Sequence, residues 1–173
     1  DGTITVATNT PVGTYPITYT ICEVTNPTNC DSVTVTVTVT APIIDAVVET
    51  TAPINGHTGG TTTTLIANDT LNGLPVVIGT ALGNVTLTAV NVPSGLTLKP
   101  NGTVTIAPNT PAGTYSVQYT ICEVTNPTNC DSVTSSILVS APVIDAVTDT
   151  PSIVSGGTTP TVITNDTLNG VGP

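Results

Sequence analysis

The chain contains no Phe, Trp or Met, and Lys99 is its only lysine or arginine. The missing large aromatics remove the flat stacking platforms on which sugars and bases are usually held, and leave Val, Ile, Leu and four Tyr to build a core. One basic side chain against 11 acidic residues gives a net charge of -10 and a pI near 4.1. Such a surface has no basic patch with which to neutralise phosphates, so neither nucleic acid nor an anionic membrane is expected as a partner. No apolar run approaches the ~18 residues of a spanning segment, and no basic-apolar-small sequence marks a signal peptide, so direct membrane insertion is not expected. Export is expected to be directed from elsewhere in the protein. The single histidine, His57, lies in NGHTGG without a Ser, Cys or carboxylate at catalytic spacing, and no enzyme is expected.

What the chain does have is threonine, at 40 of 173 positions, mixed with Val and Ile. These β-branched residues suit a pleated, half-buried surface and disfavour helix. Fifteen Gly and 15 Pro fall between the β-branched runs as turn punctuation. The clearest strand is residues 33–40, where Val33, Val35, Val37 and Val39 face in while Thr34, Thr36, Thr38 and Thr40 face out. Upstream, Tyr15, Ile17, Tyr19 and Ile21 form an inner face opposite Thr18, Thr20 and Cys22. Counting back from Thr34 puts Cys30 on that same outer face, so a Cys22–Cys30 bridge across an antiparallel hairpin is expected, with Cys122–Cys130 as its second copy. The two pairs lie 100 residues apart, which does not suit the converging pairs of a zinc ribbon. Disulfides place the chain in an oxidising compartment, and a loop of this size contributes roughly 2–3 kcal/mol when closed.

An internal repeat sets the organisation. ICEVTNPTNCDS at 21–32 recurs unchanged at 121–132, and 27 of the 40 positions in 1–40 match 101–140. APIIDAV at 41–47 returns as APVIDAV at 141–147, and NDTLNG at 68–73 returns at 165–170. The second interval is three residues shorter, which marks the Gly/Thr-rich stretch between them as a loop tolerant of length change. Residues 41–140 are therefore read as one complete repeat, 1–40 as the C-terminal part of a preceding repeat and 141–173 as the N-terminal part of a following one. Further strands are expected near 43–49, 61–67, 74–79, 84–91, 95–98 and 102–107, with KPNGT at 99–103 as a hairpin and PAGTY at 111–115 as another turn. About eight short strands in ~100 residues indicate tandem immunoglobulin-like β-sandwich repeats, an all-β fold. The Ala41-Pro42 and Ala141-Pro142 links leave little slack, so rigidity is expected to depend on contacts between neighbouring repeats.

The order DAV, NDTLNG, VTLTAV, NGTVTIAPNTPAGTYSVQYTIC and CDSVT resembles bacterial cadherin-like and immunoglobulin-like adhesin repeats. ICEVTNPTNCDS is most similar to repeats in the giant secreted surface proteins of Bacteroidetes, including adhesins associated with gliding motility. The resemblance covers the whole sequence and implies a stalk, a non-catalytic structural repeat of a secreted or cell-surface adhesin or filament, whose partners are neighbouring repeats of the same chain. Two alternatives stand beside it: a self-polymerising fibre in which identical chains complement each other's strands, and a carbohydrate-binding module. Related cadherin-like modules bind calcium at their junctions, which makes Asp45, Glu49, Asp69, Asp145, Asp149 and Asp166 candidate ligands, against solvated loop carboxylates and Asx turns. No other cofactor is expected. The motif Asp-Ser/Thr-aliphatic at Ser32, Thr70, Ser132 and Thr167 resembles the O-glycosylation signal of exported Bacteroidetes proteins, although Asp-Ser and Asp-Thr are also ordinary turn residues.

Overall fold

The computed structural model describes residues 1–172. It is all-β, with fourteen strands among the described residues: β1 (Gly13–Cys22), β2 (Cys30–Val39), β3 (Ile44–Asp45), β4 (Ile54–Asn55), β5 (Gly60–Thr61), β6 (Thr70–Leu71), β7 (Leu74–Pro75), β8 (Val85–Asn91), β9 (Leu96–Leu98), β10 (Val104–Ile106), β11 (Gly113–Glu123), β12 (Cys130–Ser140), β13 (Ile144–Asp145) and β14 (Thr167–Leu168). The described residues include no helix long and apolar enough to cross a membrane.

Two long antiparallel hairpins dominate. β1 pairs with β2 from Gly13↔Val39 to Cys22↔Cys30, and β11 pairs with β12 in the equivalent register from Gly113↔Val139 to Cys122↔Cys130. In the first hairpin the Val/Thr alternation of β2 favours this register, since a one-residue slip would carry the valines to the threonine face; in the second, the inward Ile137 and Val139 of β12 do the same. On that outer face the hydroxyls pair across the strands, Thr18 with Thr34, Thr20 with Ser32 and Thr120 with Ser132, each at 2.7 Å.

Among the described residues, further strands join the second hairpin but not the first. β8 joins β11 and β4 joins β12, giving a four-stranded sheet in the order β4-β12-β11-β8. A three-stranded sheet, β5-β10-β9, contributes to the same core. Leu65, Val85, Leu96, Val104, Ile106, Val117, Tyr119, Ile121, Ile137 and Val139 are buried together there. This core belongs entirely to residues 41–140. In the first hairpin, by contrast, Tyr19 is 49% and Ile21 66% exposed, whereas their counterparts Tyr119 and Ile121 are 0% exposed.

The short edge segments depart from the strands expected by periodicity. Residues 43–49 pair as a strand only at Ile44–Asp45, and the rest is held by side chains: Ala46 N donates to Asp131 Oδ2 at 2.8 Å, Val47 N to Asp69 Oδ1 at 2.8 Å and Glu49 N to Ser135 Oγ at 3.1 Å. Residues 61–67 likewise contribute only Thr61 to a strand, while Thr62 N and Leu65 N reach the carbonyls of Val104 and Gly102. The stretch 74–79 reduces to Leu74–Pro75 plus a bridge between Ile78 and Val85. An apolar alternation marks which residues turn inward; it does not say whether backbone or side chain satisfies the amide. The KPNGT turn forms as expected, with Leu98↔Val104 closing the pair and Lys99 exposed at its corner.

Candidate functional site

Chemistry-bearing residues gather in two places, the tip of each stapled hairpin and a buried clamp under the second one. Cys22–Cys30 and Cys122–Cys130 both form disulfides, between directly paired residues at the ends of their hairpins. Both bridges lie on the outer threonine face, where the strand count places them. The two disulfides fit an oxidising, non-cytoplasmic setting. Each hairpin is also pinned at its open end, because the Tyr15 hydroxyl donates to the Pro11 carbonyl and the Tyr115 hydroxyl to the Pro111 carbonyl, both at 2.8 Å. The Pro-x-x-x-Tyr spacing carried this signal in both copies.

The clamp centres on Asp69, which is 0% exposed. Its Oδ1 accepts the Val47 N–H, and its carboxylate lies 3.0–3.2 Å from the Tyr119 hydroxyl, which also reaches the Leu65 carbonyl. Burial pushes the Asp69 carboxyl above its ordinary range, with Glu49 and Asp45 adding repulsion; the bonds from Val47 and Tyr119 act in the opposite sense. Tyr119 is raised for the same leading reason, burial, with the neighbouring Asp69 charge next. Asp69 is thus neither a solvated loop carboxylate nor an open ligand. It is an internal strut tying the 46–49 segment to the core.

The other acidic candidates do not converge on it as a cage. Among the described residues no three His, Cys, Asp or Glu side chains are placed to hold a metal. Glu49 Oε1 accepts the Asn68 N–H at 3.0 Å, and Asp45 and Asp145 are exposed. Asp166 repeats the Asp69 geometry in outline, accepting the Val147 N–H at 2.8 Å, with no tyrosine above it. Asp149 lies half-buried in the same C-terminal segment. His57 is exposed on the loop after β4.

Of the four Asp-Ser/Thr-aliphatic positions, Ser32 and Ser132 are exposed on the hairpins, and Thr70 and Thr167 are half-buried in the two-residue strands β6 and β14. Sequence reasoning did not single out Glu123, Asn126 and Asn129 at the hairpin tip. Glu123 is only 5% exposed, and both asparagine amides donate to its Oε2, at 2.9 and 3.0 Å. The signal was present in the unchanged recurrence of ICEVTNPTNCDS, which a disulfide alone does not require. No family model matches the chain, and no curated protein matches it.

Proposed function

We propose that this chain is a stretch of non-catalytic, immunoglobulin-like sandwich repeats from a secreted or cell-surface bacterial adhesin or filament, working as a disulfide-stapled stalk. The observation that carries the reading is the recurrence of one stapled hairpin, with the same ten-pair register, in two consecutive sequence repeats. A module whose job is reach and load needs a strengthened, regularly spaced unit more than it needs a cleft. The covalent bridge sits at the hairpin tip, where it prevents the strand pair from opening from that end. Mechanical extension of the native protein tests this. Unfolding events should come at even contour increments of about 300 Å, the extended length of a ~100-residue unit less its locked loop. Extension without discrete events would refute a load-bearing array.

A second reading, strand complementation between identical chains, is favoured by one observation. Tyr19 and Ile21 present a bare apolar face on β1, while the 144–168 segment bears Asp166, the counterpart of the residue that clamps Tyr119. Complementation predicts concentration-dependent self-association that Tyr19→Asp abolishes. A monomer at all concentrations would eliminate it.

A further inference from the structure

The hairpin tip does more than carry a disulfide. Across the Ala41-Pro42 link, the Val12 N–H of the first hairpin donates to Asn126 Oδ1 at 2.7 Å. Asn126 presents that oxygen because its own amide nitrogen is held by Glu123 Oε2, 2.9 Å away. The same Glu123 oxygen accepts from Asn129 Nδ2, which also donates to the Pro42 carbonyl of the link at 2.9 Å. One buried carboxylate therefore orients two amides, the first gripping the preceding unit and the second gripping the connection to it. In the first copy of the motif Asn26 makes no side-chain hydrogen bond to Glu23, whose side-chain partners are Asn29 and Thr25.

Beside this clasp, Asn9 Nδ2 approaches the Leu82 carbonyl at 3.5 Å, and Gly83 leaves room for it: a Cβ on Gly83 would lie 2.8 Å from Asn9 Oδ1. A groove of about 540 Å³ runs along this seam, walled by Val6, Thr10 and Val39 on one side and Leu71, Asn72 and Glu123 on the other.

The next boundary shows a different contact. The side-chain amides of Asn55 and Asn169 pair reciprocally, Asn55 Nδ2 to Asn169 Oδ1 at 3.1 Å and Asn169 Nδ2 to Asn55 Oδ1 at 3.4 Å. Asn169 is held in position by its exchange with Val143, donating from its N–H at 2.8 Å and accepting at Oδ1 at 3.1 Å. Asn72 occupies the same place in the preceding repeat, donating its N–H to Ile43, and is exposed. Within residues 41–140, the Asn55 loop and the Pro111 turn lie together at one end, since Asn109 N donates to the His57 carbonyl and a Cβ on Gly56 would lie 2.2 Å from the Thr110 carbonyl.

We propose that these are the two halves of one inter-repeat joint. The Glu123-Asn126-Asn129 tip and the Asn-Gly turn at 72–73 or 169–170 form a docking surface, and its occupant is the end of the preceding repeat, namely the Pro11–Val12 turn and the loop of the Asn55 type. The first boundary carries the Val12–Asn126 clasp and the second the Asn55–Asn169 clasp. Where both partners are present, two clasps and a covalent link fix the angle between repeats, whereas a link alone leaves a swivel. This rests on the repeat-array reading, and it assigns to ICEVTNPTNC a recognition role in addition to the staple.

The test uses the full chain in solution by NMR. Residual dipolar couplings from residues 13–39 and from 44–140 should fit one alignment tensor, and the Val12 amide should exchange at least about tenfold more slowly than a free exposed amide. Asn126→Ala should return Val12 to the free rate and split the tensors, with exchange of the core amides Thr62 and Leu65 unchanged. Val12→Pro, which deletes the donor without touching the 41–140 core, should split the tensors likewise. Asn55→Ala should release residues 144–168 from the common tensor. Separate tensors in the unaltered chain, or a single tensor surviving Asn126→Ala and Val12→Pro, would overturn the joint while leaving the mechanical test of the stalk untouched.

Discussion

The Tyr119 hydroxyl lies 3.0 Å from Asp69 Oδ2, with both side chains fully buried. The phenol has one hydrogen and faces two acceptors, the Leu65 carbonyl and the Asp69 carboxylate. That single hydrogen is shared between them, so Tyr119 satisfies the carboxylate only in part and does not offset its burial. That arrangement agrees with the upward shift of Asp69, whose leading cause is burial.

The shift carries a pH dependence. Asp69 is raised in the folded state above its ordinary 3.8, so it takes up a proton on folding. Its stabilising contribution is fully present below that ordinary value and is lost as pH rises through the raised one. Asp69→Asn keeps an acceptor for Val47 and places an amide donor where the carboxyl proton would stand. Urea denaturation across the acid range should show this part of the pH dependence flattened in the variant. A profile unchanged from the parent chain would contradict the assignment.

Tyr119→Phe should lower stability by roughly 1–3 kcal/mol, because it strips partners from a buried carbonyl and a buried carboxyl. Tyr19→Phe in the first hairpin should cost nothing measurable, since Tyr19 is 49% exposed and its hydroxyl has no such partner. Paired denaturant titrations read the contrast directly, and equal costs would show that the clamp is not the source.

Replacing Cys122 and Cys130 together by Ser should cost about 2–3 kcal/mol, the loop-closure contribution of a bridge across eight positions. Under force, each repeat so altered should lengthen by about 25 Å as the formerly closed loop pays out. Reductant should reproduce both effects on the unaltered chain. If it changes neither, the staple has no mechanical part.

Intact-mass and peptide mass spectrometry of the protein from its native source should place any O-linked sugar on Ser32 and Ser132, whose positions on the outer hairpin face are open, ahead of Thr70 and Thr167 in half-buried two-residue strands. An unmodified mass would remove the glycosylation proposal, and occupancy confined to the threonines would reverse the ordering.

The sequence by itself determined the local architecture wherever a period-2 pattern ran long enough. The Val/Thr alternation of the first hairpin specified its faces and favoured its register, the position count carried both cysteines to the outer side, and the recurrence of whole segments set the repeat. These are short-range properties, decided by which residues can alternate across one strand pair. Tertiary structure decided the rest. Asp69 and Asp166 sit in the same NDTLNG motif, yet only Asp69 is sealed in a core, because β11 lays Tyr119 over it from 50 positions away. The 46–49 segment is held by Asp131 and Ser135 side chains from β12, more than 80 positions on, so no local pattern could show that its strand would stop at Asp45. The hairpin tip likewise reads as a turn around a disulfide, and only the folded chain shows Asn126, held by Glu123, meeting the Val12 N–H. Burial and long-range hydrogen bonding depend on what the fold brings alongside, and identical motifs acquire different roles according to which neighbours reach them.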